Sequence, residues 1–172
     1  MAWTAPRTWT DGELVTKAIM DPHVRDNFLA VGPHLVVRKP SDESVTSSTV
    51  QQNDDHLVMA VAANEVWRFE YMLRVDKGPG GMDIAWTFPT AGYFSAQWMH
   101  GGTVDVHTGT SPTADQGLAT GTAGDIAVAY IVGVYANGAN AGNLQLQFAQ
   151  NASNGVAAIM KTNSTLWAVK LA

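Results

Sequence analysis

The ten residues from Val66 to Val75 read VWRFEYMLRV and alternate without a break. Trp67, Phe69, Tyr71, Leu73 and Val75 fall on one side, with Arg68, Glu70, Met72 and Arg74 on the other. A period of two puts successive side chains on opposite faces of an extended chain, and aromatic and β-branched residues suit a pleated, half-buried surface. The stretch is therefore a strand with one face in a core.

The same rhythm extends in both directions. Upstream, HLVVRK (34–39) and HLVMAVAA (56–63) read as strands, separated by the Ser/Thr-rich link PSDESVTSSTVQQNDD, and Asn64-Glu65 marks a turn into the long strand. Downstream, DKGPGG (76–81) has the Gly and Pro chemistry of a tight reversal, and MDIAWTF sets Met82, Ile84, Trp86 and Phe88 on one face. Together these two runs predict an antiparallel hairpin. YFSAQWM and TVDVH follow, split by His100-Gly101-Gly102, and then comes the polar loop TGTSPTADQGLATGTAG. DIAVAYIVGVYANG is apolar on both faces, which predicts a central strand covered on both sides. NLQLQFAQ returns after an Asn/Gly turn, and VAAIMK and TLWAVKLA close the chain.

Roughly eight to ten short strands with turns between them, and no alternation with helices, predict an all-β fold. The expected architecture is a jelly-roll-like antiparallel β-sandwich over 34–172. An N-terminal arm and one short α-helix over 1–33 precede it. The helix is DPHVRDNFLAVG, with Asp21 as N-cap, Pro22 at the first helical position and Gly32 past its end, where Pro33 forbids continuation. Val24, Phe28 and Val31 form its apolar stripe, too small to be a core of its own. Thr10 and Glu13 have capping-box spacing, and Thr16 opens a second turn; Pro22 favours a break at Asp21. The arm carries Trp3 and Trp9, two indoles that need a surface to dock on, either the domain's own core or a partner.

Composition narrows the function. The chain has 172 residues, 46% hydrophobic and only 15% charged, so it supports one sizeable core with a lightly charged surface. Its net charge of −5 and scattered Lys and Arg argue against nucleic acid as a partner. With no cysteine, thiolate chemistry is excluded, and folding in a cytoplasm is expected. No signal-peptide pattern or apolar run of membrane-spanning length is present, so no membrane insertion is expected.

The catalytic motifs are absent: no Gly-x-Ser-x-Gly elbow, phosphate-binding loop or dinucleotide fingerprint occurs. Asp105 and His107 share a strand face, and Asp54, Asp55 and His56 are adjacent, but a metal site needs three or four convergent ligands. The preferred reading is exposed polar residues at strand ends. No catalytic residue, metal or cofactor is predicted. Two features instead suit subunit contact: the uncharged amide row with Gln145 and Gln147, and Tyr130 and Tyr135 on opposite faces of one strand. A competing reading is a carbohydrate-binding module in which Tyr93 or Trp98 stacks on a host-surface glycan.

The N-terminal stretch TWTDGELVTKAIMDPHVRDNFLAV resembles a segment found on structural proteins of tailed bacteriophages. The resemblance rests on Trp9, Gly12, Glu13, Val15, Thr16, His23, Arg25, Asp26 and Asn27. The remainder, from DDHLVMAVAANEVWRFEYMLRV through GNLQLQFAQNAS to STLWAVKLA, is similar to the β-domain that follows in such proteins. Its strand rhythm is also similar to trimeric jelly rolls of the tumour-necrosis-factor type. The resemblance implies a non-enzymatic virion protein made in the host cytoplasm, a homotrimer on the particle exterior attached by its arm to other virion proteins. A minor tail or fibre position is favoured, with capsid decoration as the alternative.

Overall fold

The computed structural model describes residues 4–5, 7–27, 34–101, 103–110, 117–118, 124 and 126–172. The chain divides into two compact units, Met1–His34 and Leu35–Ala172.

The second unit is a β-sandwich. Its strands are β1 (His34–Arg38), β2 (Glu43–Val45), β3 (Gln52–Val61), β4 (Val66–Asp76), β5 (Met82–Thr87) and β6 (Tyr93–His100). They continue with β7 (Thr103–Gly109), β8 (Gly117–Leu118), β9 (Ile126–Ala136), β10 (Gly142–Ala149), β11 (Ala158–Met160) and β12 (Thr165–Lys170). A large sheet runs β1-β12-β4-β9-β6-β7, with β11 joined to β4 and β2 to β11, and a small sheet runs β3-β10-β5-β8. From β3 onward the chain changes sheet at almost every connection, leaving only β6–β7 as a hairpin between sequence neighbours of the main path. Such crossing between two antiparallel sheets is the jelly-roll pattern.

The alternation of β4 decides the core. Phe69, Tyr71, Leu73 and Val75 are wholly buried and Trp67 nearly so, whereas Met72 is exposed. Leu57, Met59 and Val61 of β3, Met82, Ile84 and Trp86 of β5, and Leu144, Leu146 and Phe148 of β10 meet them from the small sheet. Trp86 is the aromatic bridge between the layers. Its ring lies 4.7 Å from Phe94, 5.3 Å from Trp98 and 6.1 Å from Tyr71, centroid to centroid. Aromatic contacts of this kind add to the large area each ring removes from water.

Three expectations are corrected. First, β4 and β5 do not form a hairpin: β4 pairs with β9, β11 and β12, while β5 pairs with β10 and β8. The DKGPGG turn crosses between sheets, and its glycines serve close approach. A Cβ on Gly78 would stand 2.7 Å from the Ala157 carbonyl oxygen, and one on Gly80 2.5 Å from that of Ala152. Turn chemistry fixes a local reversal but not the sheet that the chain enters next. Second, the helix does not break at Asp21. Helix α1 (Lys17–Met20) runs directly into a wider turn, Asp21–Arg25, in which the Asp26 N–H reaches the Asp21 carbonyl. Pro22 offers no N–H and crowds the preceding turn, and one widened turn absorbs it without ending the helix. Third, β9 is central in its sheet, yet on its outer face Val128 and Val134 are exposed.

Within the first unit, Asn27 pins the arm to the helix. Its Nδ2 donates to the Thr4 carbonyl and its Oδ1 accepts the Thr4 N–H, both at 2.8 Å. Thr10 and Glu13 close a turn rather than start a helix.

Gly133 on β9 faces the core, where an added Cβ would lie 2.4 Å from the Ser95 carbonyl oxygen and 2.6 Å from Phe69 Cζ. Gly133→Val therefore forces the Phe69 ring and β6 apart. It is expected to cost about 1–3 kcal/mol, read as a lower urea midpoint at unchanged slope.

Candidate assembly surface

Strands β4, β9, β6 and β7 lie side by side, so their outward residues form rows across the large sheet. One row aligns Met72, Tyr130, Met99 and Val104, and the next aligns Glu70, Val132, Gln97 and Val106. In the row beyond, Val134 stands between Arg68 and Ser95, and on the other side Val128 pairs with Arg74. Val106 is 68% exposed, Val104 56% and Val128 54%, and Met72, Met99 and Val134 are exposed too. Exposed apolar rows on a sheet face make this surface the candidate for contact with another apolar surface.

The charged groups bordering it are satisfied locally. Arg68 donates to Glu70 at 2.6 Å, and its guanidinium lies 5.8 Å from the Trp167 ring centroid. The Tyr130 hydroxyl donates to the other Glu70 oxygen at 2.7 Å. That hydrogen bond to a carboxylate, aided by burial and by the negative charge of Glu70, holds the Tyr130 hydroxyl above its ordinary pKa.

The expected site residues fall in different places. Tyr130 lies on the apolar field, but Tyr135 is fully buried in the sandwich and donates to Asn137 Oδ1 at 2.8 Å. Burial pushes its hydroxyl up to about 12. Tyr135 is thus a core residue and not part of a subunit contact, because the two-residue period sends it inward with Ile131. Trp98 is 1% exposed, which removes it as a glycan platform; Tyr93, at the start of β6, remains 48% exposed. Gln145 and Gln147 lie on the small sheet, where Gln145 donates to the Asp54 carbonyl at 3.0 Å and Gln147 to Asn53 Oδ1 at 2.8 Å. Their amides are used within the chain.

In the N-terminal unit Trp9 and Val24 are exposed, as are Leu14, Val15 and Met20. The Arg7 guanidinium lies 5.0 Å from the Trp9 ring centroid. Trp3, Phe28 and Val31 lie outside the described residues.

No known protein family, curated protein or solved structure matches this chain.

The histidine–carboxylate pairs separate as well. His100 Nε2 lies 3.3 Å from Asp105, while the His107 ring packs 5.5 Å from Trp98. Glu43, Asp54 and His56 converge closely enough to hold a cation, and Asp54 is fully buried rather than exposed at a strand end. An ammonium already stands there: Lys39 Nζ is 2.6 Å from Glu43 Oε2 and 2.7 Å from Asp54 Oδ2. Val104 and Val106 offered a legible signal for the apolar field, since they must face opposite to Asp105 and His107.

Glu70→Gln removes the carboxylate that discourages the Tyr130 phenolate. The Tyr130 titration midpoint, followed by ring-proton NMR, is expected to fall back toward about 10, the ordinary tyrosine value.

Proposed function

We propose that this chain is a non-enzymatic structural protein of a tailed-bacteriophage virion, a homotrimer joined through the outer face of the large sheet. The observation that carries this reading is the largely apolar field around Met72, Met99, Tyr130, Val132 and Val106, whose carboxylate, Glu70, is held by Arg68 and the Tyr130 hydroxyl. Interfaces between copies of one chain are more apolar than ordinary surface and are depleted of charge at their centre, with aromatic residues and Met enriched. A field without free charge also suits copies that each carry −5, because no like charges need to be desolvated. The phage assignment rests on the resemblance of the Trp9–Asn27 segment, and the exposed apolar side chains of that segment support its role in attachment. A tail position is favoured. Copy number per particle tests it, since a few copies fit a tail and hundreds fit a capsid decoration.

The purified protein is expected to have a trimer's mass in light scattering at micromolar concentration. Val132→Lys places an ammonium at the centre of the field, so it should yield a folded monomer with an unchanged β circular-dichroism spectrum. A wild-type monomer, or a trimeric Val132→Lys variant, would refute this interface.

Deleting residues 1–32 is expected to leave a folded β-domain that no longer enters particles, scored by immunoblot of purified virions. Incorporation at the wild-type level would rule out attachment through the arm.

A further inference from the structure

Among the described residues, Lys39 and Asp54 form the ion pair in which both side chains are wholly buried. Lys39 follows β1 of the large sheet, and Asp54 belongs to β3 of the small sheet. Both backbones are clamped. The Lys39 N–H donates to the Ser164 carbonyl at 2.8 Å and its carbonyl accepts the Asn163 N–H at 2.9 Å, while the Asp54 carbonyl accepts Gln145. A bulge aims the Asp54 side chain: Gln145 pairs with Val58 but Gln147 with Asn53, so residues 54–57 oppose Leu146 alone.

The surroundings of this carboxyl are more specific than a salt bridge requires. Its Oδ1 accepts the N–H groups of His56 at 2.9 Å and Leu57 at 2.8 Å. Its Oδ2 contacts the lysine nitrogen at 2.7 Å. On the same nitrogen, at 2.6 Å, sits Glu43 Oε2, held in turn by the Asp55 N–H at 3.1 Å, and His56 Nδ1 lies 3.5 Å away. An amine stands beside a carboxyl carbon, two amides point at the oxygen where charge would develop, and a second carboxylate is placed to carry protons. These are the components of acyl transfer to an amine.

We propose that Lys39 and Asp54 condense into an intramolecular isopeptide bond, with Glu43 as proton carrier. A proton passes from Lys39 Nζ to Asp54 Oδ2, converting the ion pair to an amine and a carboxylic acid. The nitrogen lone pair attacks Cγ, and the displaced π electrons come to rest on Oδ1, where the His56 and Leu57 amides hold them. Glu43 takes a proton from the nitrogen and delivers it to Oδ2. The Cγ–Oδ2 bond breaks, water leaves, and Glu43 is again a carboxylate. One ammonium and one carboxylate become one amide and one water, with no oxidant or reductant. The product ties the two sheets together covalently just after the first strand of the sandwich.

The test is the intact mass of the denatured full-length protein, followed by peptide mapping. The expected result is a mass lower by one water and a branched peptide joining the Lys39 and Asp54 segments. A full sequence mass overturns the proposal, as does a deficit that maps elsewhere or that mild alkali reverses, since a succinimide would open and an amide would not. Glu43→Gln is expected to stay at full mass, because losing the proton carrier slows the step about 100-fold or more. An equally complete link in that variant would overturn the role of Glu43.

Discussion

The sandwich depends on a bare position. Gly133 leaves room on the inner side of β9 for the Phe69 ring of β4, so the two central strands of the large sheet stay paired from Val66–Ala136 to Asp76–Ile126. With Phe69 seated there, Phe94 stacks on it at 5.2 Å and Trp86 reaches across from the small sheet to Phe94. Any side chain at 133 would push Phe69 into the space these rings occupy. Close-packed interiors transmit such displacements rather than absorb them.

The same sheet has opposite characters on its two faces. Inside, aromatic rings fill the space between layers; outside, Val, Met and Tyr form a field in which Met72, Met99, Val104, Val106, Val128 and Val134 are exposed. The charges along it are held locally: Arg68 pairs with Glu70, Glu70 accepts the Tyr130 hydroxyl, and Arg74 donates to the Thr162 carbonyl.

The strands were legible because burial on one face imposes a period of two, and β4 is the clearest example. What alternation does not carry is partnership. DKGPGG reads as a hairpin turn, yet β4 and β5 lie in different sheets, because nothing local to the turn encodes its contact with residues 152–157. Alternation sets Tyr130 and Tyr135 on opposite faces, but it does not say that Tyr135 is the inner one. The Lys39 cluster was the least legible, since a lysine beside Pro40 reads as a surface residue. Its partner Asp54 is turned inward by a bulge whose one sequence trace is the polar run interrupting a strand. Tryptophan suits both a core and a sugar-stacking surface, so residue type alone does not reveal that Trp98 is buried.

The strand order also sets a timetable for folding. β12 lies between β1 and β4, and β10 lies between β3 and β5. Each therefore fills a slot whose two walls are synthesised much earlier. Until residues 142–170 emerge, β1 lacks its neighbour β12 and β3 and β5 lack the strand that joins them, so partly made chains present open edges to one another. Pairings this distant in sequence carry a high contact order and close slowly. Nascent copies crowded on one message are consequently most prone to mispair in the interval before the last strands arrive.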